Sequence, residues 1–488
     1  MTEKIEKITE RFIMEGMCLA PEALDFLIKL EKPLEAVEQI ITDIKRDGNP
    51  PVILTLELLK KYSREVNVTT TQVTPKKLRR PYAKEINSDI KVRKCITNNI
   101  ACRNSIDDFV KYFRSRLQKI RQIYVKNGIQ TIKISDAYTA QTEVRVIGIV
   151  TDIRERGNIV TFELEDEEAN IKVIVTSEDL KMRMQYVTLD SIVCVIGKVW
   201  NEKLYAIDIA LPDIPLDRKC NKSIEKIYAL IISDTHIGSK LFLEASFKKM
   251  LNWIKNENNN QREITDRIKY VIFAGDLVDG IGIYPEQEKE LQIRDIYAQY
   301  KRAFQLIDEI PEWIEIIMIP GNHDATRPTL PAPPIFRNYA EQLYEKSNIH
   351  MLSDPVLVSI HSVLFLISHG RSLDDLLTTL PNATFSNPTR ALKGILKMRH
   401  LAPIYGQKTP IFPLREDLLV IDDVPDVFIT GHIHVFDYAI YRNTSLISCS
   451  AWQNVSTYQK MMGIIPTVGK AILIDLSDPL RILTKSFI

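Results

Sequence analysis

The sequence predicts a multidomain α+β protein with a small N-terminal helical module, a small β-barrel and a C-terminal layered α/β domain. Three patterns support this fold class. Helical spacing occupies roughly the first 64 residues, period-two alternation occupies about 132–213, and short apolar runs alternate with helical stretches from Lys226 onwards. With 488 residues, the chain exceeds one ordinary core, because domains usually contain about 100–200 residues.

The helical module is predicted over residues 1–65. Segments such as PEALDFLIKLE and LEAVEQIITDIKRDG carry helical spacing and are broken by Pro33 and by the turn sequence GNPP. Residues 66–104 lose this periodicity, and TTTQVTPKKLRRPYAK combines Thr and Pro with clustered basic residues. We therefore predict an exposed, basic Thr/Pro linker over residues 66–104.

Residues 105–220 are predicted to begin with an amphipathic, basic helix over Ile106–Lys126. Its apolar face comprises Phe109, Phe113, Leu117 and Ile120. The basic residues spread around its remaining faces are Lys111, Arg114, Arg116, Lys119 and Arg121.

The rest of this region is predicted to be a barrel of five strands. The strand-like segments are EVRVIGIVTDI, NIVTFELED, NIKVIVTSED, SIVCVIGKVW and KLYAIDIAL. Their number and length favour a five-stranded Greek-key barrel of the OB type, and Gly148 and Gly197 lie where such a barrel must bend sharply. An ordinary β-sandwich fragment is the alternative topology.

Composition restricts the class of protein. Lys and Arg number 64 against 63 Asp and Glu, so the formal charge of +1 gives no overall basic signature of nucleic-acid binding. The six cysteines form no CxxC pair, which argues against a zinc ribbon or a disulfide framework and fits a reducing compartment. No apolar run approaches the roughly 18 residues that span a bilayer. We expect a cytoplasmic protein with no membrane partner.

Residues 221–488 contain five polar clusters, each at the end of an apolar run: IISDTHIGS, VIFAGDLVDG, IIMIPGNHDA, LFLISHGRS and VFITGHIHVF. Active sites of open α/β sheets form at such strand ends. A single Asp there is more often a turn former or a helix cap. Five clusters that use five of the eight histidines would require several independent coincidences. The set therefore predicts a two-metal phosphoesterase centre.

The ordered motifs D-x-H, G-D-x-x-D, G-N-H-D, H-G and G-H-x-H resemble the calcineurin-like metallophosphoesterase superfamily, which includes the Mre11-type nucleases. The resemblance covers residues 226 to about 440 and implies a four-layer α/β/β/α phosphoesterase domain. It implies one metal ion held by Asp234, His236, Asp276 and His434, and a second held by Asp276, Asn322, His369 and His432. His323 would be the unligated catalytic histidine, with Asp324 beside it as an orienting partner.

Carboxylate, amide and imidazole ligands suit Mn²⁺, Fe or Zn²⁺, whereas an all-oxygen site would favour Mg²⁺ or Ca²⁺. We expect two divalent ions and place Mn²⁺ first, on resemblance to the nucleases; Mg²⁺, Fe and Zn²⁺ are the alternatives. Arg371 and Ser372 follow His369 and are candidate substrate-binding residues, because they could meet a phosphate through charge-assisted hydrogen bonds. Solvated loop residues are the alternative for both. Asp279 is expected either to support a ligand or to form a turn.

A closer resemblance is carried by LIISDTHIGSK, FAGDLVDGIGIYPEQE, IPGNHDATRPTLPAPP, SHGRSLDDL and MRHLAPIYG, which are similar to small subunits of archaeal family D DNA polymerases. This resemblance covers essentially the whole chain. It implies a 3′–5′ proofreading exonuclease that acts on DNA at a primer 3′ end or single strand, with the large catalytic polymerase subunit as partner. A non-catalytic scaffold B-subunit and an Mre11-type repair nuclease are the alternatives. Every expected ligand is present here, which favours retained hydrolysis.

Overall fold

The structure is a computed structural model that describes residues 2–28, 30, 33–48, 50–62, 81–96, 105–255 and 261–488. The chain divides into two compact units, Met1–Arg79 and Arg80–Ile488. Within the described residues, none of the helices combines the length and the apolar character that crossing a bilayer requires. The bounds predicted from the sequence for the individual domains remain predictions.

The first unit is mainly helical, as its spacing predicts. Its helices are α1 (Thr2–Met14), α2 (Pro21–Ile28), α3 (Pro33–Arg46) and α4 (Leu56–Tyr62). Strands β1 (Cys18–Leu19) and β2 (Ile53–Leu54) pair in parallel, which the periodicity did not indicate. Phe12, Leu27 and Ile40 lie in its buried core.

The second unit contains the remaining elements. Its helices are α5 (Tyr82–Glu85), α6 (Ile106–Lys126), α7 (Ile134–Ala137), α8 (Glu178–Arg183), α9 (Glu244–Ile254), α10 (Arg262–Thr265), α11 (Ile296–Ile307), α12 (Glu341–Glu345), α13 (Leu373–Thr379), α14 (Thr389–Met398) and α15 (Thr457–Met461), with 3₁₀ turns at Met184–Tyr186 and Gln287–Lys289. Its strands are β3 (Ile90–Lys94), β4 (Val144–Arg156), β5 (Ile159–Glu165), β6 (Asn170–Val175), β7 (Ile192–Trp200), β8 (Lys203–Ala210), β9 (Tyr228–Ile232), β10 (Ile268–Ala274), β11 (Glu315–Ile319), β12 (Ile349–Met351), β13 (Val356–Ile360), β14 (Val363–Ile367), β15 (Val427–Thr430), β16 (Asp437–Tyr441), β17 (Thr444–Ser448), β18 (Lys470–Asp475) and β19 (Ile482–Ser486).

Five strands form a closed barrel in the order β4-β5-β6-β8-β7. The barrel prediction is therefore confirmed, and the sandwich alternative is wrong. A Cβ atom on Gly148 would lie 2.6 Å from the carbonyl oxygen of Glu165, and one on Gly197 would lie 2.2 Å from that of Tyr205. Both glycines are thus required by the close approach of neighbouring strands.

Helix α6 packs between the barrel and the C-terminal part of the second unit. It begins with a capping box formed by Ser105 and Asp108. Its residues Leu117, Ile120, Ile123 and Tyr124 share a core with Ile147, Ile192 and Cys194 of the barrel and with Val420. The helix prediction is confirmed. One of its basic residues, Arg116, is buried and forms an ion pair with Asp417.

Two six-stranded sheets form the remainder of this unit. The first sheet has the order β12-β11-β10-β9-β18-β19, and the second has the order β16-β17-β15-β14-β13-β3. Successive side chains of β9 point to opposite faces of the first sheet. Ala229 and Ile231 pack against the second sheet, whereas Leu230 and Ile232 pack against α9 and α11. The second sheet packs against α13 and α14 through Leu366 and neighbouring apolar residues.

Part of the predicted linker is an element of this second unit. Residues 66–80 and 97–104 lie outside the described residues, but Ile90–Lys94 forms strand β3 and pairs antiparallel with β13. Cys95 and Ile96 exchange hydrogen bonds with Ser353. The linker prediction is wrong for this segment, because the strand IKVRK is too short and too basic to stand out as a periodic run.

Candidate metal centre

The five polar clusters meet at one edge of the two sheets. Three of them follow β9, β10 and β11, which are parallel neighbours in the first sheet. The other two follow β14 and β15, which are parallel neighbours in the second sheet. Side chains separated by up to 200 positions in sequence are therefore brought together by the carboxyl ends of adjacent strands.

The backbone at these strand ends is held in an unusual conformation. Five predicted ligand residues have left-handed φ values: Asp234 (54°), His236 (48°), Asp276 (51°), His432 (69°) and His434 (61°). Among residues other than glycine, aspartate, asparagine and histidine enter this region most readily, although the conformation still costs free energy that the surrounding structure must offset. Other residues of the chain with positive φ lie away from the clusters, so the conformation is shared by these ligands without being confined to them.

Glycines allow the strand ends to approach one another closely. A Cβ atom on Gly321 would lie 2.1 Å from Asp276 Oδ1, and one on Gly275 would lie 2.4 Å from His369 Nδ1. A Cβ atom on Gly431 would lie 2.6 Å from Asp234 Oδ2. The glycines of the G-D, G-N-H-D and G-H-x-H motifs therefore clear the space that the ligand side chains fill.

The first group of candidate ligands contains Asp234, His236 and His434, which offer ligand atoms within 4.8 Å of one another. His236 Nε2 lies 3.1 Å from His434 Nε2, and His434 Nε2 lies 3.3 Å from Asp234 Oδ1. Asp276 Oδ2 is 3.8 Å from His236 Nε2. The four residues expected at the first metal ion are thus adjacent.

The second group contains Asp276, His369 and His432, again within 4.8 Å of one another. His369 Nε2 lies 3.2 Å from Asp276 Oδ2 and 3.1 Å from Asn322 Oδ1. The four residues expected at the second metal ion are therefore adjacent as well. Asp276 Oδ2 faces both groups, as a bridging carboxylate would.

The hydrogen bonds around these groups leave acceptor atoms facing one another. His369 Nδ1 lies 2.9 Å from the carbonyl oxygen of Ala274, and His236 Nδ1 lies 3.1 Å from Asp279 Oδ1. Since an oxygen of this kind can only accept, both Nδ1 atoms carry hydrogen, and in the neutral imidazoles both Nε2 atoms present lone pairs. These lone pairs point at carboxylate and amide oxygens. Buried sets of converging acceptors suit cations, so the residues present fit two metal ions.

The imidazoles also govern the charge of the central carboxylate. Burial alone would raise the pKa of Asp276, but the neighbouring His369 and His323 outweigh it and leave this pKa well below the usual carboxyl range. Burial likewise opposes charge on His369, but Asp276 raises the pKa of His369 to about 10. In the absence of cations, the buried carboxylate is thus balanced by an imidazolium.

His323 also offers a ring nitrogen within 4.8 Å of ligand atoms of His236 and Asp276, but its Nδ1 is already engaged. Its Nδ1 donates to the backbone oxygen of Asp279 at 2.7 Å, and its backbone N–H donates to Asp276 Oδ1 at 2.8 Å. The side chain is 12% exposed, and its ring meets that of His236 edge-on at 4.5 Å. Its Nε2 remains available to a substrate at the mouth of the centre.

The expected partnership of His323 with Asp324 is wrong. Asp324 accepts hydrogen bonds from the backbone N–H groups of Gly321, Leu277 and Val278 and from the hydroxyl of Tyr300. Its carboxylate therefore links the loop after β10 to the loop after β11 and does not contact the ring of His323. Burial and the nearby Asp276 raise the pKa of Asp324 to about 6.

Asp279, and not Asp324, is the residue that orients the ring of His323. It is fully buried, and it holds His236 through Oδ1 and His323 through its backbone oxygen. Gln287 and Gln453 donate to it in turn, at 2.7 Å to the backbone oxygen and 3.2 Å to Oδ1. The second Asp of G-D-x-x-D signalled this position, whereas nothing in the sequence signalled the two glutamines.

The two candidate substrate-binding residues separate in the structure. Ser372 is buried and donates its hydroxyl to the backbone oxygen of Leu401, so its predicted contact with substrate is wrong. Arg371 is half-buried, and its guanidinium makes no hydrogen bond to any residue that the structure describes. The sequence did not signal Asp374, whose Oδ2 lies 3.1 Å from His432 Nε2. This contact occupies Nε2 and leaves Nδ1 as the ligand atom of His432.

Known proteins resemble this chain over nearly its full length. The DNA polymerase II small subunit of Archaeoglobus fulgidus is 34% identical over 95% of this chain and 94% of its own length. The chain belongs to the family of archaeal DNA polymerase II small subunits. The homologue of Methanothermobacter thermautotrophicus is 36% identical over 96% of this chain and 98% of its own length, and that of Pyrococcus horikoshii is 39% identical over 76% and 61%. The resemblance stated from the motifs is thereby confirmed.

Two family models match separate parts of the chain. The model of the DNA polymerase alpha/epsilon B-subunits matches residues 229–437, which contain all of the candidate ligands. The model described as OB-fold nucleic acid binding domain matches residues 144–203, within the barrel. A solved archaeal phosphodiesterase aligns with 53% of the chain at 16% identity and a TM-score of 0.29, a likeness too low to carry an argument.

Proposed function

We propose that this chain is the 3′–5′ proofreading exonuclease subunit of a DNA polymerase and hydrolyses phosphodiester bonds with two divalent metal ions. One observation carries the proposal: Asp276 Oδ2 lies between two groups of buried acceptor atoms, 3.8 Å from His236 Nε2 and 3.2 Å from His369 Nε2. A carboxylate shared between two such groups is the arrangement that two-metal hydrolysis requires.

The first metal ion would be held by Asp234, His236, Asp276 and His434, and the second by Asp276, Asn322, His369 and His432. Mn²⁺ is our first choice for both on resemblance to the nucleases, and the mixed nitrogen and oxygen ligands suit Fe and Zn²⁺ as well. When bound, the ions supply Lewis acidity, which lowers the pKa of water and screens the charge of the phosphate.

The chain's own residues would then orient the substrate and move a proton. In its imidazolium form, His323 can donate from Nε2, because Nδ1 is engaged by Asp279. Water oxygen bonds to phosphorus and gives up one proton to solvent, the bond from phosphorus to the 3′ oxygen breaks, and that oxygen takes the proton from His323, which regains a proton from solvent. The products are a 5′ nucleotide and a shortened strand with a free 3′ hydroxyl. Arg371, with no hydrogen bond among the described residues, would bind a phosphate oxygen.

The proposal extends to partners and domain layout. We propose that this chain associates with the large catalytic polymerase subunit and that its domains span residues 1–65, 105–220 and 221–488, with strand β3 of the segment 66–104 added to the last of them. The last would have a four-layer α/β/β/α arrangement, which the packing of helices on the two sheets supports. The barrel exposes Trp200 by 64% beside Tyr205, with ring centroids 6.0 Å apart, which supports contact with single-stranded DNA.

The decisive experiment uses the full-length chain with and without its large subunit. Single strands and mismatched primers, labelled at the 3′ or the 5′ end, are incubated in Mn²⁺ or Mg²⁺ with wild type and with Asp276→Asn. We expect metal-dependent loss of nucleotides from the 3′ end by the wild type only. The metal content of both proteins is measured in parallel, and we expect two ions per wild-type chain and fewer in the variant.

Other outcomes assign the alternatives. Loss of nucleotides from the 5′ end would reject proofreading. Equal absence of cleavage by wild type and Asp276→Asn, even in the complex, would support the non-catalytic scaffold. Full activity on duplex breaks in a preparation that never recovers a larger polymerase chain would support an Mre11-type repair nuclease.

A further inference from the structure

Apolar side chains are exposed beside the polar metal centre. They lie in two segments, the loop that follows Asp279 and the segment around α15. The exposed members are Ile281 (47%), Ile283 (38%), Tyr458 (48%), Met461 (76%), Met462 (43%) and Ile465 (87%). Hydrolysis of a phosphate ester requires none of them, so their exposure next to the ligands calls for another explanation.

Two tyrosines connect this apolar surface to the proposed catalytic histidine. The ring centroid of Tyr284 lies 6.1 Å from that of His323 and 6.1 Å from that of Tyr458, and the two tyrosine planes are inclined by 32°. Tyr284 is half-buried, whereas Tyr458 is 48% exposed. The pair, which we name the tyrosine platform, therefore extends from His323 to the protein surface.

A single carboxylate fixes the two halves of the platform. Glu290 accepts from the hydroxyl of Tyr284 at 2.9 Å through Oε2. Through Oε1 it accepts from the hydroxyl of Thr457 at 2.6 Å and from its backbone N–H at 3.1 Å. Tyr458 directly follows Thr457 in the chain, so Glu290 fixes the position of the Tyr458 ring relative to that of Tyr284.

The platform is also tied to a candidate metal ligand. Gln459 Nε2 lies 2.7 Å from His434 Nδ1, and Gln459 is buried. The backbone N–H of Thr467 donates to the backbone oxygen of His434 at 2.8 Å. Of three consecutive residues, Thr457 thus contacts Glu290, Tyr458 presents its ring to solvent, and Gln459 contacts the metal centre. This geometry gives the ring a fixed position relative to the proposed site of hydrolysis.

We propose that Tyr284 and Tyr458 form a stacking site for the base of the nucleotide whose phosphodiester reaches the metal centre. This inference rests on the proposed nuclease function and adds its substrate class, a strand end with an unpaired base. Stacking on tyrosine suits any base, because every base presents a π face. The loop beside Tyr284 carries Glu286, Glu288 and Glu290 against one cation, Lys289, which pairs with Glu286, so its net negative charge disfavours backbone phosphates and favours the uncharged base.

The platform explains a preference for frayed ends. A base within a duplex is stacked on its neighbours and paired, so its face is unavailable to Tyr458. A mismatched terminal base is released at lower cost and can stack on the tyrosine. Selection of errors would then begin with the shape of the strand end, before hydrolysis.

The test uses a DNA single strand with 2-aminopurine at its 3′ end and a terminal phosphorothioate linkage that resists hydrolysis, in Mn²⁺. Wild type should quench the 2-aminopurine fluorescence, and Tyr458→Ala should bind the strand about tenfold more weakly with little quenching. Tyr458→Phe should behave as wild type, since the Tyr458 hydroxyl makes no hydrogen bond to the described residues. Tyr297→Ala is the matched control, because Tyr297 is 52% exposed and stacks on Tyr339 at 5.1 Å.

A second arm compares cleavage of strands that end in a normal nucleotide or in an abasic one. Wild type should favour the normal end by about tenfold in kcat/KM, and Tyr458→Ala should lose that preference. If wild type cleaves but Tyr458→Ala keeps the preference and the quenching, the platform is rejected and the nuclease function stands. If no strand is shortened by any protein, the nuclease function fails, while quenching still reports on the platform.

The competing explanation is that the apolar surface binds the large polymerase subunit. Recovery of that subunit with Tyr458→Ala is therefore measured beside Tyr297→Ala. Equal recovery by both variants, together with the weaker strand binding, supports the platform. Loss of the large subunit from Tyr458→Ala alone, with strand binding unchanged, would overturn the platform.

Discussion

Two arginines on α6 allow the effect of burial on an ion pair to be measured within one helix. Arg116 Nε donates to Asp417 Oδ2 at 2.8 Å, and the two side chains are 1% and 0% exposed. Arg121 pairs with Glu167 at 2.8 Å, and these side chains are 32% and 27% exposed. Both pairs join an arginine to a carboxylate at the same distance, but besides burial they differ in the acid and in hydrogen-bond number, since Arg121 donates through two nitrogens to Glu167.

Replacement of Arg116 by Met removes the charge and retains most of the side-chain length. It removes the arginine from the buried Asp417, which keeps only neutral donors such as His400 Nε2 at 2.8 Å, and it removes the donor to the backbone oxygen of Pro403 at 2.7 Å. Loss of one partner from a buried pair costs about 3–5 kcal/mol, because the remaining charge stays desolvated. The exposed pair of Arg121 is screened by solvent, so Arg121→Met should cost about 0.2–1 kcal/mol.

Urea unfolding of the full-length chain, followed by tryptophan fluorescence, measures both free energies of unfolding. Addition of Asp417→Asn to Arg116→Met should recover about 1–3 kcal/mol, since a neutral amide is less costly to bury than an unpaired carboxylate. Similar small losses for Arg116→Met and Arg121→Met would refute the reasoning. A large loss without recovery would assign the effect to packing of Arg116 on Tyr112 and Phe113, whose rings lie 5.3 and 5.0 Å from the guanidinium.

Three further predictions concern individual groups. Burial lowers the pKa of His400 to about 4, so as pH falls from about 6.5 the imidazole takes up a proton in the unfolded chain before it does so in the folded one. The free energy of unfolding, measured in urea, should therefore fall by about 3 kcal/mol by pH 4, and His400→Gln should lack this loss. The geometry agrees, since His400 Nδ1 accepts from the backbone N–H of Ala402 and must be unprotonated. His323→Asn should lower the cleavage rate by about 10²–10⁴ while metal analysis still finds two ions per chain; loss of an ion would instead make His323 a ligand. Asp279→Asn should weaken Mn²⁺ binding by about 10–100-fold in calorimetry, because its carboxylate orients His236, and unchanged affinity would contradict this.

The candidate ligands could be predicted from the sequence because two independent signals coincide at each of them. The apolar run places a strand, and the polar cluster after it falls at the strand end, as for Asp276 after β10. The parallel order of β9, β10 and β11 then brings the clusters together without further information. Barrel glycines such as Gly197 were predictable for a similar reason, since few other residues fit a sharply bent strand.

Positions decided by tertiary contacts could not be predicted in this way. Helical spacing places Arg116 outside the apolar face of α6, but the periodicity cannot show that this side chain is buried against Asp417, 301 positions later. Proximity in sequence suggested that Asp324 supports His323, but the turn of the chain gives that part to Asp279. Gln459 carries no signal at all, because a glutamine on a short helix is common and only the fold places it against His434.

Backbone strain provides an argument about hydrolysis that the ligand list does not. Asp234, His236, Asp276, His432 and His434 all adopt left-handed φ values. Aspartate and histidine enter this region more readily than most residues, but the conformation still carries a cost. Binding of cations can offset the cost, since folding and metal binding are coupled. The shared conformation therefore supports the proposed metal centre over a scaffold, because a scaffold that binds no metal has no such offset.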